Sequence, residues 1–160
     1  MRRGITRKTT EDLKGKNRNK LPNIALRTTM ITGYPTEGER EFEELEEFVE
    51  EMKFDRLGVF TYSVEDGTTA EPLGDTVTPE EKRRRHARLM DIQREISHEK
   101  NLAKIGKPVR TLIEREEEGV YYGRTEADAP EVDNETAVHS RNVLYPGSFI
   151  HLMVLEADWF

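Results

Sequence analysis

The residues with the clearest chemical potential lie in one short stretch, TTMITGYPTEGE, residues 28–39. A β-branched run enters Gly33-Tyr34-Pro35, and an acidic helix start follows. Strand, Gly/Pro turn and helix start is the layout of a ligand-binding corner at the carboxyl end of a parallel strand. Gly33-Tyr34-Pro35 with Glu37 suits the polar end of a cofactor. A plain strand-to-helix turn has the same spelling, and spacing alone leaves both readings open. Arg27 and Thr29 alternate onto one face of the strand. A charged side chain there needs a partner, either a ligand carboxylate or a core salt bridge.

Other candidate groups carry less information. Lys82-Arg83-Arg84-Arg85-His86 with Arg88 makes a basic helix turn that suits phosphates. Such a run is more often a solvated face, here partly neutralised by the Glu-rich helix. His86, His98, His139 and His151 show no metal-ligand spacing. Ser63, Ser97, Ser140 and Ser148 sit in no nucleophile-elbow sequence. Tyr121, Tyr122 and Phe149 suit either base stacking or core packing, and the negative surroundings favour packing. The chain has no cysteine. That removes disulfides, thiolate nucleophiles and cysteine-held zinc or iron–sulfur clusters.

The elements that position these groups follow from periodicity. Residues 6–20 predict a helix with Thr6, Thr9 or Thr10 as cap, ended by Pro22. IALRTTMIT (24–32) reads as a strand. Phe42, Leu45, Phe48, Val49 and Met52 recur at helical spacing over 39–52, with a nearly all-Glu opposite face. RLGVFTY (56–62) is a second strand. Strand, helix, strand makes a βαβ unit, so the two strands should be parallel neighbours. After a Gly/Pro/Thr loop at 63–77, Thr78-Pro79-Glu80-Glu81 predicts a cap, a first-turn proline and a capping box. Leu89, Ile92, Ile96 and Ala103 mark that helix's buried stripe, and Gly106 followed by Lys107-Pro108 ends it. Beyond 108 four short strand-like runs, VRTLIE, VYYGRT, TAVHS and SFIHLMVL, predict a small antiparallel barrel.

The fold class is therefore α/β followed by all-β, with segments 1–106 and 107–160. Two parallel strands are not a domain, because a parallel sheet needs both faces covered. The first segment reads as part of a larger α/β structure.

The 160 residues are 34% hydrophobic and 36% charged, poor in core material. No apolar run approaches a membrane span, and the start lacks an apolar signal core, which points to the cytoplasm. The net charge of -7 is uneven. Residues 1–20 carry eight Lys/Arg against Glu11 and Asp12, while residues 107–160 carry five Lys/Arg against eleven Asp/Glu.

Three stretches in order, ALRTTMITGYPTEGEREFEEL, FDRLGVFTYSVEDGT and GRTEADAPEVDN, resemble one family. They are similar to the carboxyl-terminal part of radical S-adenosylmethionine methylthiotransferases of the RimO type, which modify an aspartate of small-subunit ribosomal protein twelve. The resemblance implies the last stretch of a radical-SAM (βα) barrel followed by a TRAM β-barrel. It also implies S-adenosylmethionine and two [4Fe–4S] clusters in the parent enzyme. The cluster cysteines would lie in an amino-terminal part of the same enzyme, so this chain alone should be inactive and Met1 an internal methionine.

Carried over by position, the resemblance assigns Arg27, Thr29, Gly33, Glu37 and Tyr62 to the cofactor. Thr36 departs from the pattern, which has glycine there. Arg124, Asp128, Glu131 and Asp133 fall on the substrate side. The implied partners are the basic ribosomal protein and the missing part of the enzyme, with no membrane. An acidic 107–160 suits a basic protein and repels nucleic acid. The alternative is a tRNA methylthiotransferase fragment, or a nucleic-acid- or protein-binding module without catalysis. Its support is the basic amino terminus and the 82–88 run.

Overall fold

The computed structural model describes residues 4, 6–130 and 132–159. The chain divides into two compact units, Met1–Ile96 and Ser97–Phe160.

The first unit starts with helix α1 (Arg7–Lys20), capped by the Thr6 hydroxyl on the Thr9 N–H. None of its residues is buried. Charge holds it instead. Arg7 bonds Glu51 at 2.6 Å, Lys14 the Glu51 carbonyl at 2.7 Å and Arg18 the Lys53 carbonyl at 3.1 Å. Strand β1 (Arg27–Thr32) pairs in parallel with β2 (Arg56–Thr61), Met30 opposite Val59. Helix α2 (Glu39–Met52) joins them, as the βαβ pattern predicts. Its first turn is closed by the Glu41 carboxylate on the Gly38 N–H, 3.0 Å, and it ends at Lys53 in the left-handed conformation. Helix α3 (Pro79–Leu102) follows a loop that contains a 3-10 turn at Glu71–Leu73.

The core forms on one face of the sheet. Met30, Leu57 and Val59 meet Phe42, Val49, Leu89, Ile92 and Ile96 from α2 and α3. The opposite face carries Arg27, Thr29 and Ile31 from β1 and Gly58 and Phe60 from β2. Phe60 is 62% exposed. This asymmetry is unusual for parallel strands, which are normally covered on both sides.

Some expectations for α3 need correcting. The Thr78 hydroxyl accepts the Glu81 N–H at 3.2 Å, but the Glu81 carboxylate turns to Arg84 and Arg85 and does not return to Thr78. Charge-assisted bonds to two guanidiniums outcompete a neutral N–H. Ala103 is exposed, because the helix stops at Leu102 and the buried stripe ends with Ile96.

The second unit holds one four-stranded antiparallel sheet in the order β5-β4-β3-β6. Its strands are β3 (Pro108–Glu117), β4 (Val120–Thr125), β5 (Thr136–Val138) and β6 (Phe149–Met153). All four predicted strands are present, and β5 and β6 stand at opposite ends among the described residues. A register shift between Ile113 and Arg115 bulges β3. There Gly123 passes so close that a Cβ would lie 2.3 Å from the Leu112 carbonyl oxygen. Thr111, Ile113 and Val138 form the buried face. The core-packing reading of Phe149 is corrected here: the residue is 58% exposed on the other face, under the Arg110 guanidinium at 4.3 Å.

Candidate functional site

The carboxyl ends of β1 and β2 meet in a corner built by three segments. After Thr32 the chain turns at Gly33, whose φ of 79° is left-handed and suits glycine. The turn is fastened by Glu37. Its Oε1 accepts the Gly33 N–H at 2.8 Å, the Thr32 hydroxyl at 3.0 Å and the Arg85 guanidinium at 2.7 Å. Arg85 also donates to the Glu37 carbonyl at 2.9 Å and to Glu81 at 2.6 Å.

One turn earlier on α3, Lys82 reaches the same corner. Its Nζ donates to the Tyr62 carbonyl at 2.7 Å and to Asp75 at 2.6 Å. Its stem lies over Gly33, where a Cβ would come 2.6 Å from Lys82 Cγ. The loop from Tyr62 to Thr78 is held again by the Thr76 hydroxyl on the Pro35 carbonyl, 2.8 Å. Tyr34 and Tyr62 pack edge to face at 5.3 Å. The Tyr62 hydroxyl oxygen is buried with no hydrogen-bond partner among the described residues. Burial pushes its phenol above the ordinary tyrosine range, helped by Tyr34, Asp75 and Glu65, so it stays a neutral donor.

The basic run 82–88 is therefore a solvated face only in part: Arg83, Arg84 and Arg88 are at least half exposed. Lys82 and Arg85 are buried, and Arg84 and Arg88 pair with Glu39 and Glu46 of α2 at 2.8 Å each. Glu39 and Glu46 of the Glu-rich α2 meet this run. Glu81 is held down to about 2, first by its hydrogen bonds from Arg84 and then by those from Arg85.

Of the cofactor candidates, Gly33, Glu37 and Tyr62 converge on this corner. Arg27 and Thr29 lie on the uncovered sheet face, Arg27 at the far end of the strand and exposed. Glu37 spends Oε1 on the turn itself. Tyr34, named with the turn, joins the corner residues; Asp75 was missed, and Lys82 and Arg85 were read only as part of a basic run. For Lys82 and Arg85 a signal existed: continuing the stripe Ile96, Ile92, Leu89 back by four and three residues lands on Arg85 and Lys82.

Of the residues expected to face the substrate, Arg124 bonds Glu114 at 2.6 Å. Asp128 is buried and its Oδ2 accepts the Thr125 N–H at 3.1 Å and the Thr125 hydroxyl at 2.5 Å. Asp133 accepts the Ala129 N–H at 2.7 Å. The two aspartates of the DAPEVD stretch thus shape its turn. Glu131 lies outside the described residues. No group of three or more His, Asp or Glu with metal-holding geometry occurs among the described residues, and no described helix is long and apolar enough to cross a membrane.

Comparison with known proteins meets this geometry. The TRAM domain family matches residues 105–160. Over its full length the chain is 49% identical to ribosomal protein uS12 methylthiotransferase RimO of Cytophaga hutchinsonii, 37% of whose length it covers. The likeness is to the RimO-type methylthiotransferases. The protein of the same name from Chloroherpeton thalassium is 48% identical, with all of this chain and 38% of that one aligned. That of Flavobacterium psychrophilum is 45% identical, with all of this chain and 37% of that one aligned. The chain spans a little over a third of the length of these curated RimO relatives. The all-β unit contains the TRAM match, and the α/β corner falls within the part aligned to RimO ahead of it.

Proposed function

We propose that the chain is the carboxyl-terminal part of a RimO-type ribosomal protein methylthiotransferase. Residues 1–106 would be the end of its radical-SAM barrel and 107–160 its TRAM domain. The observation that carries this reading is the alignment of every part of the chain with such enzymes, together with a parallel sheet left open on one face. An open parallel face calls for further protein, and the missing part of the enzyme would supply it.

The corner fits S-adenosylmethionine on the chemistry it offers. A buried tyrosine hydroxyl has no partner among the described residues, and it sits beside a second tyrosine ring at the carboxyl ends of parallel strands. Tyr62 and Tyr34 would hold the cofactor's flat, polar adenosine portion. Thr29 and Arg27 would line the open face toward the rest of it, and Gly33 with Glu37 would keep the turn in shape. When bound, the cofactor supplies the methyl group and the reductive chemistry of the parent enzyme. The iron–sulfur clusters do not fit this chain, which has no thiolate to hold them. In this reading the chain binds and orients, and another part of the enzyme carries the clusters.

The TRAM domain would grip the basic ribosomal protein in the cytoplasm. The excess of carboxylates over 107–160 supports attraction to a cationic partner. The test is binding of the purified chain to ribosomal protein uS12 at rising salt. Binding that weakens as salt rises is expected; no binding at low salt would sink the substrate-grip reading. A second reading, a nucleic-acid-binding module, has one specific observation behind it: Arg110 stacked over the exposed Phe149 ring. Filter binding to tRNA in the same salt series separates the two.

A further inference from the structure

We propose that Lys82 is the positioning residue of the corner, setting from α3 where the two strand-end loops stand relative to each other. This rests on the reading that the corner receives the cofactor. No other side chain described here touches all three parts of the corner. Its stem packs on Gly33 at the end of β1, its ammonium bonds the Tyr62 carbonyl at the end of β2, and the same ammonium holds Asp75 in the following loop.

Stability alone does not account for a lysine here. The Lys82 side chain is 9% exposed and its anion Asp75 is 41% exposed. Desolvating an ammonium for one half-solvated carboxylate is a poor exchange, and apolar replacements of such pairs are often neutral. What an apolar side chain cannot do is fix distances. A methionine would still cover Gly33, but nothing would tie the Tyr62 carbonyl and Asp75 to a common point. Tyr62 carries the hydroxyl offered to the ligand, so its backbone placement sets where that hydroxyl lies. Arg85, one turn on, fixes only the β1 side through Glu37. The Lys82–Arg85 spacing thus assigns one cation to each strand end, with Lys82 bridging both.

The absence of cysteine makes a clean test possible. Lys82→Cys carries the sole thiol. It can be alkylated in the unfolded state with bromoethylamine, which rebuilds a lysine-like ammonium, or with propyl bromide, which rebuilds only the stem. Lys82→Met serves as a variant needing no refolding. Amide hydrogen exchange is followed in the two loops, 33–38 and 63–77, and in the core strands. The expected result is exchange about tenfold faster in both loops of Lys82→Met and the propyl protein, with core exchange unchanged. The aminoethyl protein should return to the wild-type rates.

Three results overturn the proposal: unchanged loops in Lys82→Met, equal rescue by propyl and aminoethyl groups, or loops and core loosening together. S-adenosylmethionine is then titrated into the wild-type chain while the Gly33, Tyr34 and Tyr62 amide resonances are watched. If they do not move, the cofactor reading of the corner fails. The exchange data still decide the role of Lys82 in placing the loops.

Discussion

Removing the Glu37 carboxylate should be among the most damaging single changes in the α/β unit. Glu37→Ala strips an acceptor from the Gly33 N–H, the Thr32 hydroxyl and Arg85, all at 2.7–3.0 Å. The side chains of Arg85 and Glu37 are 6% and 10% exposed, so solvent screening does little to soften the loss. Breaking a buried ion pair from one side costs about 3–5 kcal/mol. Arg85 keeps Glu81 at 2.6 Å, which places the charge part near the lower end. The orphaned Gly33 N–H adds about 1 kcal/mol. The sum is roughly 4 kcal/mol, or a fall in Tm of about 15 °C or more for a unit of this size. Glu37→Gln keeps an acceptor for the turn and should cost only about 1–2 kcal/mol. A cycle with Arg85→Met should show a coupling of about 2 kcal/mol. Melts followed by far-UV circular dichroism read both units, while the single tryptophan, Trp159, reports on the other unit and should not move. A Glu37→Ala loss under about 1 kcal/mol, or no coupling to Arg85, would refute the fastened-turn argument.

Four further outcomes follow from the geometry of the two units. Glu81 is held at about 2, below its unfolded value, so its contribution to stability is present above the ordinary carboxylate range and is lost as pH falls through about 2; the Tm gap between wild type and Glu81→Gln should shrink over that window in a pH series of thermal melts. Gly33→Ala must adopt a left-handed φ and push Lys82 aside, a loss of roughly 2–3 kcal/mol, whereas Gly123→Ala drives a Cβ into the Leu112 backbone and should abolish folding of the β unit, visible as loss of dispersed amide signals. Asp128→Asn should destabilise the β unit by about 1–2 kcal/mol through the Thr125 bonds; weaker uS12 binding with an unchanged melt would show instead that Asp128 faces the partner.

Much of the fold was legible because its elements obey strong local rules. Phe42, Val49 and Met52 could only share a helical face, and that face is buried. The capping Thr6, the parallel pairing of β1 with β2 and the four strands after 108 follow from turn residues and periodicity. The corner was visible as a corner through Gly33, Glu37 and Tyr62. Lys82 and Arg85 were read as surface because charge usually marks the outside of a helix. Their burial depends on carboxylates and carbonyls that arrive from distant segments, Glu37, Asp75 and Tyr62, which no local pattern reveals. Phe149 failed for the opposite reason. Aromatic character predicts burial, but strand register turned this ring outward beside Arg110.

The hairpin between β3 and β4 turns on two residues, Glu118 and Gly119, both with positive φ. Asparagine is the usual first residue of such a turn, and a glutamate held there costs about 1–2 kcal/mol in backbone strain. Glu116 is occupied by the Gly119 N–H and Glu117 by Arg115. The strained residue is thus the one that carries its charge outward at the far tip of the hairpin. The turn gives up some stability at the position where a carboxylate stands furthest out. If the β unit grips a basic protein as proposed, the tip would attract that cationic surface before contact, and the benefit would appear in how fast the partner arrives, with little effect on how long it stays.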